Sequence, residues 1–214
     1  MVIKTFDVSN TKTIEAVPLT PEGFSPYGGV ISADHQILNV ESSAANYGTA
    51  QKIHKVAPVV NNYEKCSSGK PATANWNIFR CKAPKHLISS SGIGKTYLSK
   101  VLERHPFTTQ TFIPMGQDLH KKSFLVIVAK TDETSPDMLP DPSQLRAFVC
   151  KGNQSITYGA GTWHAPMVVI DEEVAHIDFA VFIHENGVAD EDTQECYFEP
   201  GYSVNYSVAR DKKL

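Results

Sequence analysis

The sequence carries no excess of charge of either sign, no long apolar run and few cysteines, and each lack excludes a class of protein. Twenty Lys and Arg stand against 23 Asp and Glu, a formal net charge of -3. A nucleic-acid binder usually displays a basic face or tract, so no nucleic-acid partner is expected. A spanning helix needs about 18 or more consecutive apolar residues, and no such run occurs, so no membrane partner is expected either. The opening MVIKTFDVSN has no apolar segment of the kind a secretory signal needs. The closing Lys212-Lys213-Leu214 has Lys where a peroxisomal tail needs a small residue, and it reads as a solvated basic end. The four cysteines, Cys66, Cys81, Cys150 and Cys196, are far apart and form no CxxC pair. They read as ordinary thiols in a reducing compartment, and a cytoplasmic location is expected.

What is present describes an ordinary globular chain. Its 214 residues are 41% apolar. A chain of this size buries roughly 70% of its extended surface and can build a core without staples. The apolar segments are short, β-branched and aromatic: Ile53 to Val56, Trp76 to Arg80, Thr111 to Ile113, Ser123 to Ala129, Arg146 to Cys150, Met167 to Ile170 and Ala175 to Ile183. Gly, Pro, Asn or Asp bound most of them, which is the strand signature. Two one-turn helices are expected at Thr20 to Phe24 and Asp141 to Leu145, where a capping side chain precedes a proline. Many strands with few helices make an all-β sandwich or barrel. One domain over 1–214 is expected, with loop excursions near 61–74, 89–100 and 132–142 and an extension after about 187. Gly92-x-Gly94-Lys95-Thr96 resembles a phosphate loop, but the first glycine of that motif would fall on Ser89, so a hairpin tip is the better reading.

Two segments hold polar residues that do not suit a plain core. In Leu102 to Pro114, alternate residues of a strand share a face, so Glu103 and His105 point the same way. Gln110 follows His105 across a turn begun by His105-Pro106 and can return beside them. In Gly159 to Pro166, the glycines allow a tight turn that delivers His164 onto the next strand. Read alone, Glu103-Arg104-His105 also fits a solvated strand edge and His164 a buried structural imidazole. Elsewhere, His176, Asp178 and His184 share one face that lies inside a barrel or half-exposed. His35, His54, His86 and His120 read as surface residues, and Asp190-Glu191-Asp192 with Glu195 as a solvated loop.

Together the two segments resemble the paired motifs of the cupins. Glu103-x-His105 with Gln110 matches the spacing of the first, with Glu for its leading His and Gln for its Glu; Gly159-x-Gly161-x-x-His164 matches the second, with Gly for Pro. In metal-binding cupins these positions are the ligands. By that resemblance Glu103, His105, Gln110 and His164 are the ligands of any bound metal. A mixed nitrogen and oxygen set suits nickel, manganese, iron or zinc.

A closer resemblance is carried by Leu102-Glu103-Arg104-His105-Pro106, Gln110-x-Phe112-Ile113-Pro114-Met115, Leu145-Arg146-Ala147-Phe148 and Trp163-His164-x-Pro166. Pro18-Leu19-Thr20, Phe24-Ser25-Pro26-Tyr27-Gly28 and Asp178-Phe179 add to it. This series is similar to that of the ureidoglycolate lyases over about residues 16–185. The resemblance implies a cupin-like, double-sheet antiparallel β-barrel with a few helical turns. It also implies a homodimer that cleaves (S)-ureidoglycolate to glyoxylate and urea in allantoin breakdown, with nickel as the suggested divalent metal and no organic cofactor. The chemistry needs a base for the hydroxyl proton, a proton for the departing urea, and a cationic hold on the carboxylate. Glu103, His105 and His164 are the catalytic candidates. Gln110 and Trp163 are candidate substrate contacts, as are Arg80 and Arg104, with Arg80 favoured for the carboxylate over Arg104 and Arg146. Which of Glu103 and His105 is ligand and which is base stays open. Two other functions compete: an amidohydrolase releasing ammonia and carbon dioxide from the same substrate, and a non-catalytic barrel that binds a small carboxylate.

Overall fold

A computed structural model describes residues 1–38, 40–91 and 94–208. The end of the 89–95 hairpin tip and the basic C-terminal end fall outside the described residues. The short apolar segments pair into two main sheets. The ten-stranded sheet runs in the order Val2–Asp7, Gln194–Tyr206, Gly94–Arg104, Trp163–His164, Lys122–Ala129, Arg146–Lys151 and Val17–Pro18, with Ile14–Glu15, Ile88–Ser91 and Val168–Val169 attached beside it. The five-stranded sheet runs Gly28–Ile31, Ser155–Tyr158, Gln110–Met115, Ile177–Glu185 and Thr73–Cys81. Ser42–Ala45 and Ala50–Ile53 form a separate hairpin.

The side-chain pattern explains how the layers stack. In Lys122–Ala129, Phe124, Val126 and Val128 enter the core between the two sheets, while Leu125, Ile127 and Ala129 enter a second core on the outer face of the larger sheet. A strand buried on both faces has no polar alternation, which is why SFLVIVA is continuously apolar. Ile177–Glu185 alternates instead: Ile177, Phe179, Val181 and Ile183 are buried, and the residues between them are partly exposed. Phe179 sits at the centre of the inter-sheet core, its ring edge-on to Phe112 at 5.9 Å and to Phe124 at 5.2 Å.

The all-β, double-sheet expectation holds, and so do both helical turns. Thr20 Oγ1 accepts the Gly23 N–H at 3.1 Å at the start of Pro21–Phe24. Asp141 Oδ1 accepts the Ser143 N–H at 2.8 Å at the start of Pro142–Gln144. Barrel closure does not hold: among the described residues neither sheet returns to its first strand. Pro18, in one edge strand of the larger sheet, has no N–H to offer a further strand. Nor is the pairing wholly antiparallel, because Val2–Asp7, Ile14–Glu15 and Val17–Pro18 all pair in parallel. The strand expected at Ile53 to Val56 stops at Ile53, two residues before Lys55 enters left-handed backbone at φ 50°.

Two further segments differ from their sequence reading. The 89–100 excursion is a hairpin of Ile88–Ser91 with Gly94–Arg104. The stretch after 187 contains the 13-residue strand Gln194–Tyr206, which lies between Val2–Asp7 and Gly94–Arg104. Its apolar alternation is interrupted by Pro200-Gly201, where the register shifts between Tyr197 and Tyr202. Gly201 is required there: its φ is +126°, and a Cβ would lie 2.9 Å from Leu98 Cγ and from the Ser99 carbonyl oxygen. The 132–142 excursion remains a loop, pinned by the Met138 carbonyl, which accepts from Arg104 Nη1 at 2.7 Å and Trp163 Nε1 at 3.1 Å. Among the described residues no helix is long and apolar enough to cross a membrane.

Removing the ring that joins the two sheets should cost more than removing any peripheral contact. Phe179→Ala is expected to lower unfolding free energy by about 3–5 kcal/mol in urea denaturation. A loss below about 1 kcal/mol would contradict the packing described.

Candidate active site

The pleat of two strands sorts the polar residues. On Gly94–Arg104, Glu103 turns to the inter-sheet side, whereas Leu102 packs in the outer core and Arg104 lies over the Trp163 ring at 4.8 Å. On Trp163–His164 the same alternation sends Trp163 outward and His164 inward. Glu103 and His164 are direct cross-strand partners. From the opposite sheet, Gln110 and Tyr158 are likewise cross-strand partners. His105 follows immediately after its strand, and its carbonyl accepts the Gly161 N–H at 2.8 Å, joining the two motif segments. Gly161 adopts φ +77°, the left-handed conformation expected of a glycine in that turn.

The ligand atoms of Glu103, His105 and His164 all lie within 4.8 Å of one another. His105 Nδ1 lies 2.7 Å from the Asp192 carbonyl oxygen, and His164 Nδ1 lies 2.9 Å from that of Thr162. A carbonyl only accepts, so each Nδ1 carries the proton and each Nε2 of the neutral ring is a bare lone pair. Both Nε2 atoms and Gln110 Oε1 are fully buried and have no partner. His164 Nε2 faces Glu103 Oε1 at 3.5 Å. A lone pair facing a carboxylate in a buried site calls for a cation between them. A proton on His164 satisfies that one pair, whereas a divalent ion would meet Glu103, His105 and His164 together. The donor set therefore fits a divalent metal.

The electrostatics agree with that arrangement. Burial pushes the Glu103 carboxyl up, but its contacts with His164 and His105, whenever an imidazole carries a proton, outweigh burial and bring the group below the usual glutamate range; a cation between these side chains would act on the carboxylate in the same direction. Burial and the neighbouring His164 hold His105 below the ordinary imidazole range, against the Asp192 carbonyl, Glu103 and Gln110. The Tyr158 ring stacks on His164 at 3.9 Å and 14°, fixing the imidazole plane from the other sheet.

The remaining sequence candidates lie elsewhere. Arg80 is on the outer face of the smaller sheet, bonded twice to Asp178 at 2.8 Å, with 62% of its side chain exposed. Arg104 bonds Gln194 Oε1 at 2.8 and 2.6 Å besides the Met138 carbonyl. Arg146 bonds the Ser143 and Leu145 carbonyls. Of the three histidine-face residues, Asp178 is committed to Arg80, His176 lies 3.8 Å from Asp178, and His184 lies beside Thr108. The half-exposed reading of that face is the one realised. His54 bonds the Ser43 hydroxyl, and His35 lies 2.9 Å from the Gln154 amide.

Sequence reasoning missed Tyr158, Tyr63 and the acidic turn at Ala189–Asp192. That turn is no solvated loop. Glu191 is buried and accepts from the Ser68 N–H at 2.7 Å, the Ser68 hydroxyl at 2.6 Å and the Asn186 amide at 2.7 Å. The hydrogen bonds from Ser68 and Asn186 pull its carboxyl down to about 2, from an ordinary 4.5. The folded state therefore favours the ionised form: the stabilisation is complete above pH 4.5 and is lost as pH falls from there toward 2. Glu191→Gln is expected to lower the urea midpoint at pH 7, with the gap to the parent protein closing as pH falls through that window. A gap constant with pH would refute the assignment.

Comparison with known proteins extends these observations to the whole chain. Residues 11–205 match the profile of the family described as ureidoglycolate lyase. The ureidoglycolate lyase of Saccharomyces cerevisiae is 43% identical over 193 residues, covering 87% of this chain and 93% of the relative. That of Schizosaccharomyces pombe is 44% identical over 183 residues, covering 86% and 90%. A bacterial relative of the same name, from Brucella anthropi, is 31% identical over 167 residues, covering 77% and 80%. Similarity of this extent, spanning both motif segments and the strands that carry them, places the chain in the ureidoglycolate lyase family.

Proposed function

We propose that this protein is a ureidoglycolate lyase, cleaving (S)-ureidoglycolate to glyoxylate and urea in purine breakdown. The observation that carries the proposal is the buried convergence of His105 Nε2, His164 Nε2, Gln110 Oε1 and the Glu103 carboxylate in a chain of this family. The reaction is an elimination from a carbinolamide: the hydroxyl loses a proton, the C–N bond breaks, and the nitrogen of the departing urea gains a proton. No water and no redox partner enters.

Glu103 is the member of the set that substrate meets first. Its side chain is 24% exposed, against 6% for His105, 4% for Gln110 and 1% for His164. Its depressed pKa keeps it ionised at neutral pH, so it accepts the hydroxyl proton and hands the same proton to the leaving nitrogen. Burial keeps His105 neutral, with its lone pair presented to the centre. His105, His164 and Gln110, with Glu103 completing the set, are the residues that would hold a divalent cation. Such an ion supplies Lewis-acid stabilisation of the developing alkoxide and a positive partner for the substrate carboxylate. That partner is needed, because Arg80, Arg104 and Arg146 are all engaged elsewhere.

The remaining expectations belong to the same reading. Residues 1–208 act as one unit, since Val2–Asp7 pairs with Gln194–Tyr206 and ties the two ends together. A cytoplasmic location suits four unpaired thiols. A homodimer is supported by the outer face of the smaller sheet, where Trp76 and Ile78 are 63% and 73% exposed and the Trp76 ring meets Phe182 at 5.2 Å. Apolar side chains grouped on one sheet face are a protein-contact signature.

Incubation of the purified protein with ureidoglycolate should yield glyoxylate and urea in equal amounts. Activity is expected to disappear in verified metal-free protein and to return with Ni²⁺. Ammonia in place of urea would establish the amidohydrolase instead. His164→Ala is expected to lower kcat/KM at least about 100-fold, given its place in the centre. Unchanged turnover would remove the site assignment. In light scattering, Trp76→Glu should convert a dimer to a monomer; a monomeric parent protein would end the dimer proposal.

A further inference from the structure

His105 owes its usable lone pair to a residue 87 positions away. Its Nδ1–H is accepted by the Asp192 carbonyl at 2.7 Å, with the Thr193 hydroxyl farther off at 3.5 Å. If that carbonyl moved, the Thr193 hydroxyl at 3.5 Å would be a much weaker hold on the Nδ1 proton, and the neutral ring could place it on Nε2. An Nε2–H is a donor, useless as a ligand or base at the centre.

The carbonyl is held unusually firmly, and by its own side chain. Asp192 Oδ1 accepts from the Tyr63 hydroxyl at 2.5 Å and the Asn186 N–H at 2.9 Å, and Oδ2 accepts from the Gly187 N–H at 2.7 Å. Tyr63 is itself buried and belongs to the Tyr63–Lys65 turn of the 61–74 segment. The same segment reaches the turn that follows His105: the Asn62 N–H donates to the Phe107 carbonyl at 2.7 Å, and the Tyr63 and Phe107 rings lie 5.6 Å apart. Glu191, bonded to Ser68 and Asn186, fastens the other side of the turn.

We propose that Asp192 and Tyr63 are positioning residues of this enzyme: the Tyr63–Asp192 pair fixes the main-chain carbonyl that sets the His105 tautomer and so aims Nε2 at the reacting centre. The inference deepens the reading of His105 as a ligand of the active centre and rests on it. Partners of this kind typically change metal affinity or activity by about 10- to 100-fold when removed.

The test is a spectroscopic one on the full chain, as purified and after chelation. Long-range ¹H–¹⁵N correlation of the histidine ring nitrogens at neutral pH should show His105 as the Nδ1–H form in the parent protein. Tyr63→Phe and Asp192→Asn are expected to raise the Nε2–H share and to weaken Ni²⁺ binding about 10- to 100-fold in calorimetry. Phe179→Leu, a change in the inter-sheet core rather than in this turn, should lower the melting temperature while leaving the tautomer and Ni²⁺ affinity at parental values. The proposal is overturned if the parent His105 is already Nε2–H. It is equally overturned if both turn variants lose thermal stability with tautomer and Ni²⁺ affinity unmoved. Failure of the parent protein to turn over ureidoglycolate, with the tautomer shift intact, would sink the functional reading and leave the positioning role standing.

Discussion

Two main-chain carbonyls govern the centre of this molecule. The Asp192 and Thr162 oxygens each accept an Nδ1–H, from His105 and His164, and this fixes both imidazoles with a bare Nε2 turned into the interior. Burying two lone pairs beside a carboxylate is unfavourable in an empty apolar environment, so the surrounding structure must over-determine the arrangement. It does so from both sheets. The Glu103–His164 pair comes from the larger sheet, the Gln110–Tyr158 pair from the smaller, and the Tyr158 ring packs flat on His164.

The pleat divides the most specific sequence block into two jobs. In Leu102-Glu103-Arg104-His105, the inward residues Glu103 and His105 build the centre. Arg104 faces outward with Trp163 and clamps the 132–142 loop through the Met138 carbonyl. Arg104 and Trp163 thus lie on the face opposite Glu103 and His164. The candidate arginines are engaged in structural bonds, which leaves the Glu103, His105 and His164 group as the place where a cation could be held.

The periphery shows where an all-β chain places its ends. Gln194–Tyr206 crosses the larger sheet between the N-terminal strand and the strand of Glu103. The acidic turn just before it supplies the Asp192 carbonyl to His105. The C-terminal strand and the turn before it therefore help to position His105.

Composition and periodicity alone determined the fold class, most core strands and both capped turns, and they marked the two segments that hold Glu103, His105, Gln110 and His164; the resemblance to the cupin motifs joined those four into one set. These are local properties: alternation along a strand, a capping side chain before proline, glycine at a left-handed turn. Tertiary structure alone decided that the sheets stay open and that Gln194–Tyr206 is a strand despite Pro200-Gly201. It also placed Arg80 and Arg104 outside the cluster, and it buried the acidic turn at 189–192 against Ser68, Asn186 and Tyr63. The reason is physical. Which face of a strand is inside, and which distant carbonyl meets an imidazole, depend on pairings between segments far apart in the chain, as Val2 with Glu195 and Tyr63 with Asp192, and no window of sequence contains both partners.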